Sequence, residues 1–273
     1  MSKKIVLITG ASSGIGKETA KELIREGHTV YCAARSLDKM KDLEQISGHP
    51  VAVDVTKQET ISACVDKIIK EQGRIDVLFN NAGFGLYGSV EETTMEDARY
   101  QFEVNLFGLA SVTQLVLPHM REKKSGTIIN TSSVGGKVYT PLGAWYHATK
   151  HAVEGWSDCL RLEVKPFGIN VVVIEPGFIL TSFGSVLYEP LLQRSGKGPY
   201  QKLAHAVAKG IKEQNANTSS PPSVIAKTVL KAVNAANPEI RYAAGKFAKP
   251  LIFMRKWLGD KLYDRIIMSQ VVK

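Results

Sequence analysis

Tyr146 and Lys150 stand four residues apart, so on a helix both side chains project from one face. A free phenol titrates at about pH 10 and is a poor proton donor or acceptor at neutral pH. An ammonium beside it stabilises the phenolate and brings the phenol toward the range that general acid–base catalysis requires. Thirteen residues before Tyr146, Ser133 follows the apolar run Gly126 to Thr131. That is the carboxyl edge at which open α/β sheets bind ligands. Its hydroxyl is placed to hold a substrate carbonyl while Tyr146 supplies the proton. A Tyr-x-x-x-Lys pair alone more often means a packed aromatic beside a surface lysine, so its meaning depends on what accompanies it.

What accompanies it is a phosphate-binding turn. Thr9-Gly10-Ala11-Ser12-Ser13-Gly14-Ile15-Gly16 lies between a first apolar run and a first amphipathic stretch. Glycines there allow a tight turn and let the backbone approach a pyrophosphate, held by unpaired N–H groups and the positive end of the helix dipole. Gly10, Ser12 and Gly14 also spell the Gly-x-Ser-x-Gly of a hydrolase elbow. That reading puts the nucleophile on the first strand, with no earlier loop to complete an oxyanion hole and no His at a late strand end as base. After the second apolar run, an NAD enzyme needs a carboxylate for the adenosine ribose. This chain has Ala34-Arg35-Ser36 instead. The planar fork of Arg35 and the Ser36 hydroxyl suit a 2′-phosphate, which favours NADP(H). Asp54-Val55 is placed to meet the adenine edge, and Asn81-Ala82-Gly83 puts a close-approaching backbone beside the cofactor.

The elements that must position these residues follow from hydrophobic rhythm. Apolar runs at Lys4 to Thr9, Thr29 to Ala33, Pro50 to Asp54, Ile75 to Asn80, Gly126 to Thr131, Asn170 to Glu175 and Arg241 to Ala243 read as strands. They show little polar alternation, as expected of parallel strands covered on both faces. Helical spacing links them at Ile15 to Glu26, Ile61 to Ile69 and Val104 to Leu117, and Pro118 and Pro166 mark helix ends. The rhythm lapses over residues 178–222, where Gly184, Pro190, Gly196, Gly198 and Pro199 punctuate the chain. Such an insertion reads as a substrate lid. Residues 1–273 thus form one doubly wound α/β domain with a lid and a C-terminal tail over 249–273.

Taken together, Thr9-Gly10-x-x-x-Gly14-Ile15-Gly16, Asn80-Asn81-Ala82-Gly83, Asn105, Ser133, Tyr146-x-x-x-Lys150 and Pro176-Gly177 with Thr181 resemble the short-chain dehydrogenase/reductase family over residues 4 to 181. The hydroxysteroid and retinol dehydrogenase-like branch is the most similar. The resemblance implies a seven-stranded parallel Rossmann-type sheet in the order 3-2-1-4-5-6-7 and hydride transfer between a nicotinamide and an alcohol/carbonyl pair. It implies that Tyr146 is the general acid/base and that Ser133, favoured over Ser132 by its interval to Tyr146, orients the carbonyl. Lys150 would bind the nicotinamide ribose and lower the tyrosine pKa, and Asn105 would hold a water linking Lys150 to solvent. Pro176, Gly177 and Thr181 would meet the nicotinamide. The helix carrying Met95, Phe102 and Phe107 and the Tyr/Lys helix would be buried or face another subunit in a homo-oligomer, a dimer or tetramer. A non-catalytic NADP(H) sensor of the same fold is the alternative, disfavoured by the intact Ser133, Tyr146, Lys150 and Asn105.

Composition sets the outer bounds. Of 273 residues 44% are apolar and 22% charged, which excludes disordered, collagenous and disulfide-scaffold classes. Cys32, Cys64 and Cys159 read as buried hydrophobes in a reducing, cytoplasmic setting. His147 and His151 share a helix face but have no third ligand with them, so no metal is expected. The apolar loops Phe84 to Gly88 and Val138-Tyr139 and the lid point to an apolar small-molecule carbonyl or alcohol as substrate. The net charge of +9 is concentrated after residue 240, with no nucleic-acid reader motif beside it, so no nucleic-acid partner is expected. In the tail, Leu251, Met254, Leu258, Leu262 and Ile266 recur at helical spacing beside Arg255, Lys256, Lys261 and Arg265. This reads either as a helix closing the cleft or packing on another subunit, which is the plainer reading, or as a weak contact with an acidic membrane surface.

Overall fold

Both faces of the sheet are covered by helices, which is why its strands can be apolar at every position. The computed structural model describes residues 3–213 and 217–271. Residues 214–216 of the expected lid and 272–273 of the tail lie outside the described residues. The strands are β1 (Ile5–Thr9), β2 (Thr29–Ala34), β3 (His49–Ala52), β4 (Val77–Asn80), β5 (Gly126–Thr131), β6 (Ile169–Pro176) and β7 (Arg241–Ala244). They form one seven-stranded parallel sheet in the order 3-2-1-4-5-6-7, as expected. The connecting helices are α1 (Gly14–Arg25), the short α2 (Lys41–Glu44), α3 (Gln58–Gln72), α4 (Met95–Phe102), α5 (Gly108–Glu122) and α6 (Ala144–Val164). Beyond β6 come α7 (Ser182–Ser195), α8 (Gln201–Lys212), α9 (Ser223–Asn234), α10 (Ala248–Trp257) and α11 (Gly259–Val271).

Alternation along β1 shows how two cores arise. Ile5 and Leu7 point to one face and pack with Ile68 of α3, Val116 of α5 and Leu160 of α6. Val6 and Ile8 point to the other and pack with Leu23 of α1 and Ile225 and Val229 of α9. Pairing of β5 with β6 runs from Gly126 opposite Ile169 to Thr131 opposite Ile174. This register brings the residues after β1, β4, β5 and β6 to one edge, where the phosphate turn, Asn81, Ser133 and Gly177 meet.

Three expectations require correction. Pro118 does not end a helix but lies inside α5. It and Gln114, the residue whose carbonyl its missing N–H leaves free, are both exposed, so water satisfies that carbonyl. The segment from residue 178 is largely helical rather than irregular, and Gly184 and Pro190 lie within α7. Leu187 and Leu191 on α7, and Ala204 and Ala208 on α8, supply buried positions at four-residue spacing that outweigh the local breakers. Cys159 is exposed, on the outer face of α6, whereas Cys32 and Cys64 are buried. Met95 and Phe107 are exposed in this chain, with only Phe102 partly covered. The tail is two helices, broken where Gly259 takes a left-handed conformation (φ 68°).

Candidate active site

The glycine turn is shaped from beneath by β4. Thr9 Oγ1 accepts hydrogen bonds from the backbone N–H groups of Asn81 (3.0 Å) and Ala82 (3.1 Å). The Asn81 amide donates back to the carbonyls of Thr9 and Gly10 at 3.2 and 3.3 Å. The Asn81 side chain is therefore spent on the turn itself. Gly10 has φ 69°, and a Cβ there would fall 2.8 Å from the Ala82 Cα, so no other residue fits. Ser13 precedes α1 in extended conformation without capping it, and the first turn holds no acidic residue. The helix N-terminus, with Ser12, Gly14 and Ile15 around it, thus offers unpaired N–H groups to an anion. The Thr181 methyl lies over this turn, 3.4 Å from where a Cβ of Gly14 would be, and its hydroxyl accepts from Phe183 N–H as the cap of α7.

Beyond β2, Arg35 and Ser36 are exposed. Arg35 makes no ion pair among the described residues; its one polar contact is a long 3.5 Å donation to the Tyr100 hydroxyl. The nearby acid Asp38 is held by Lys41 at 2.7 Å. Asp54 follows β3 and accepts from Thr56 N–H (3.0 Å) and Oγ1 (2.8 Å). Partial burial pushes its carboxyl up, but these bonds and the charges of Arg35 and Lys57 together hold it below the usual carboxylate range. Val55 packs against Gly108 at the start of α5, where any side chain would collide with it.

The chemical residues converge from β5 and α6. Ser133 begins a short turn, accepts from Gly135 N–H at 3.0 Å and faces the Tyr146 hydroxyl, whose phenolate form it would stabilise by a hydrogen bond. Ser132 is buried behind it, against Gly136. Lys150 donates to the Thr131 carbonyl at 2.8 Å, with Nζ 6.0 Å from the centre of the Tyr146 ring. Burial pushes the Tyr146 phenol well above its ordinary value; the Ser133 bond pulls it back in part and Tyr87 pushes it further up. Burial also pushes Lys150 down to about 8, against the pull of Glu154. Desolvation of the phenol is the largest influence on Tyr146 in this geometry.

Asn105 sits in a π-helical turn, Glu103–Phe107, between α4 and α5. Its amide donates to the Phe84 carbonyl (2.9 Å) and Thr149 Oγ1 (3.2 Å), and its oxygen accepts from Phe84 N–H (3.0 Å). Such turns carry the extra residue that lets a helix re-aim a side chain. Gly83 leaves room for it: a Cβ there would lie 3.1 Å from Asn105 Oδ1 and 3.9 Å from Lys150 Nζ. Pro176 ends β6 and is buried, and Gly177 N–H donates to the Ala244 carbonyl at 2.8 Å, which sets the course of the chain into α7.

Several side chains shape the site without belonging to the motifs that mark it. Phe183 of α7 and Tyr87 stack around Tyr146, with ring centres 5.7 and 6.1 Å away. His147 is structural: its Nδ1 donates to the Gly135 carbonyl (2.9 Å) and its Nε2 accepts from Thr140 N–H (3.1 Å). Burial lowers its pKa and keeps it neutral. Thr9 and Thr149 are visible only once their neighbours are known to be functional.

The family model for short chain dehydrogenase matches residues 4–190. The chain belongs to the short-chain dehydrogenase/reductase family. It is thereby an oxidoreductase of a family whose members use NAD(P)(H). It is 38% identical to the 3-ketodihydrosphingosine reductase of Bacteroides thetaiotaomicron over 266 residues, 96% of each chain. It superposes on a crystal structure of a short-chain dehydrogenase from Streptomyces avermitilis with a TM-score of 0.81 and 31% identity, covering 98% of this chain and 99% of that one. A closed form of serine dehydrogenase complexed with NADP+ matches with a TM-score of 0.76 and 27% identity, covering 87% and 92%.

Proposed function

We propose that this short-chain dehydrogenase/reductase is an NADP(H)-dependent enzyme that interconverts a ketone or aldehyde carrying a long apolar group with its alcohol. The observation that carries the reading is the meeting of Ser133, Tyr146 and Lys150 beneath the rings of Phe183 and Tyr87, with Arg35 free of any ion pair among the described residues at the far end of the same sheet edge. The residues present fit the dinucleotide. The turn at Gly10 admits backbone alone, the α1 N-terminus is uncapped, and no carboxylate stands at the ribose end of β2. Arg35 and Ser36 would hold a 2′-phosphate, Asp54 and Val55 the adenine, and Lys150 the nicotinamide ribose. When bound, the nicotinamide supplies or accepts the hydride.

The chain's own part is proton handling and exclusion of water. The Ser133 and Tyr146 hydroxyls face one another, so a carbonyl oxygen placed between them would receive both hydroxyl donors. Burial keeps Tyr146 protonated, so the proton that reduction requires is present at neutral pH, and charge developing on the carbonyl oxygen would draw it across. Lys150 and Asn105 are buried near Tyr146, where a water held by Asn105 would relay the proton onward. Phe183 and Tyr87 cover the reacting centre and favour an apolar substrate body. The similarity to a 3-ketodihydrosphingosine reductase supports that class.

Arg35→Ala tests the cofactor reading. Loss of a charge-assisted phosphate contact is expected to weaken NADPH binding roughly 10- to 100-fold and leave NADH binding unchanged. Fluorescence titration with each nucleotide measures it, and equal weakening of both would sink the assignment. NADPH oxidation measured against aldehydes and ketones of increasing chain length tests the substrate class, with kcat/KM expected to rise with length.

A further inference from the structure

α10 and α11 are apolar on two faces. One face is already used: Ala248, Leu251, Ile252 and Met254 of α10 and Tyr263 and Ile267 of α11 close over Val134, Val138 and Tyr139. The other carries Phe253 and Trp257, each 64% exposed, with ring centres 6.2 Å apart. Leu258, Leu262 and Met268 continue the exposed apolar surface onto α11. A single exposed leucine needs no explanation, but a contiguous set built around a Phe–Trp pair marks a contact surface.

The charge around this set tells what it contacts. Lys249, Lys256, Lys261 and Arg265 are all exposed, and among the described residues none of them is in an ion pair. The acids of the same segment are already engaged. Asp260 pairs with Arg255 at 2.8 Å, and Asp264 accepts from the Tyr139 hydroxyl at 2.8 Å. Lys256 Nζ lies 5.1 Å from the Trp257 ring centre, so cation and indole present together. Indole and phenyl rings favour the boundary between headgroups and acyl chains, and unneutralised Lys and Arg favour anionic headgroups. No helix is long and apolar enough to span a bilayer among the described residues, so such a contact lies in the plane of the surface.

We propose that the outer face of α10 and α11 docks this protein on an anionic lipid bilayer. The inner face of the same two helices packs on the loop that follows Ser133, so the docked surface and that wall of the substrate cleft are two sides of one layer. The docking stands independently of the proposed substrate, and its test uses neither substrate nor cofactor.

Sedimentation of the full chain with vesicles of phosphatidylglycerol, beside vesicles of phosphatidylcholine, provides the test. Binding to phosphatidylglycerol at low ionic strength is expected, at least about tenfold stronger than to phosphatidylcholine, and released by high salt. Phe253→Ser with Trp257→Ser should lower the partition coefficient about tenfold. Lys256→Glu with Lys261→Glu should remove the preference for the anionic lipid. All four side chains are exposed, so melting temperatures are expected to stay at the parent value. Failure to sediment with phosphatidylglycerol at low salt overturns the proposal, as does unchanged binding in the Phe253/Trp257 variant. A dimer that the same two serine substitutions dissociate in sedimentation equilibrium also overturns it, because the face then belongs to a second copy of the chain.

Discussion

At Tyr146 two effects of opposite sign compete, and the larger one sets the protonation state. Desolvation favours the neutral phenol, whereas the Ser133 hydrogen bond favours the phenolate. Desolvation wins, so the residue holds its proton. Tyr146→Phe removes that proton and little else, because the ring contacts with Phe183 and Tyr87 remain. Turnover is expected to fall by about 10²–10⁴ or more, with NADPH affinity nearly intact. Stopped-flow reduction beside a binding titration separates the two; loss of binding with normal turnover per bound cofactor would remove Tyr146 from its role. Lys150 presents the complementary case. Its folded pKa, about 8, lies below its unfolded value of 10.5, so burial of the charge costs stability below pH 8. That cost is relieved as pH rises from 8 toward 10.5, where the unfolded chain binds the extra proton. Lys150→Met should therefore be inactive yet more stable at pH 7, by about 1–3 kcal/mol, less the loss of the bond to the Thr131 carbonyl. Denaturant melts at pH 7 and pH 10 check the sign, since the gain must shrink at the higher pH.

Elements decide how well such residues can be read from the chain. The β1 turn, the strand ends and the Tyr/Lys helix were legible because each depends on local chemistry: Gly10 on its φ, β6 on a continuous apolar run, α6 on four-residue spacing. The π turn at Asn105 was not, since one inserted residue leaves the apolar pattern almost unchanged. The lid was misread for the opposite reason: Gly184 and Pro190 are strong local signals that packing of Leu187 and Leu191 overrides. α7 carries its own prediction. α7 is latched by Arg194 to Asp97 (3.1 Å) and by Ser89 N–H to Ser195 Oγ (2.9 Å), and it presents Phe183 to Tyr146. Phe183 is 36% exposed, so its removal costs the fold little. Phe183→Ala is expected to raise KM for an apolar ketone roughly tenfold while leaving the melting temperature and the Kd for NADPH unchanged. An unchanged KM in steady-state assays would take α7 out of the substrate site.

For the whole molecule the decisive electrostatics lie inside the fold, where four segments are joined by a charge cluster behind the active site. Glu154 of α6 and Glu175 of β6 are both buried, and both face Lys137 and Arg241 of β7. Arg241 donates to Glu154 at 3.0 Å and to Asp158 at 2.7 Å, and Asp158 also accepts from Arg161 at 3.0 Å. Two cations thus face two buried carboxylates, yet among the described residues Glu154 Oε1 and Glu175 Oε1 accept no hydrogen bond, Glu175 Oε1 lying 3.5 Å from Arg241 Nε and 3.8 Å from Lys137 Nζ. Burial, and then the charge of Glu154, push the Glu175 pKa up, more than Lys137 and Arg241 pull it down. A carboxyl whose folded pKa exceeds its unfolded value favours the fold only while protonated. Its contribution is complete below the unfolded pKa of 4.5 and is lost as pH rises through the folded one. Glu175→Gln keeps the shape, removes the anion and places an amide donor within reach of Glu154. The variant is expected to melt roughly 2–6 °C higher than the parent at pH 8 and at the same temperature at pH 4. Calorimetry across that range measures the difference. A variant less stable at pH 8 would show that Glu175 is held as an anion by Lys137 and Arg241, and that the ion pairs outweigh the cost of burying it.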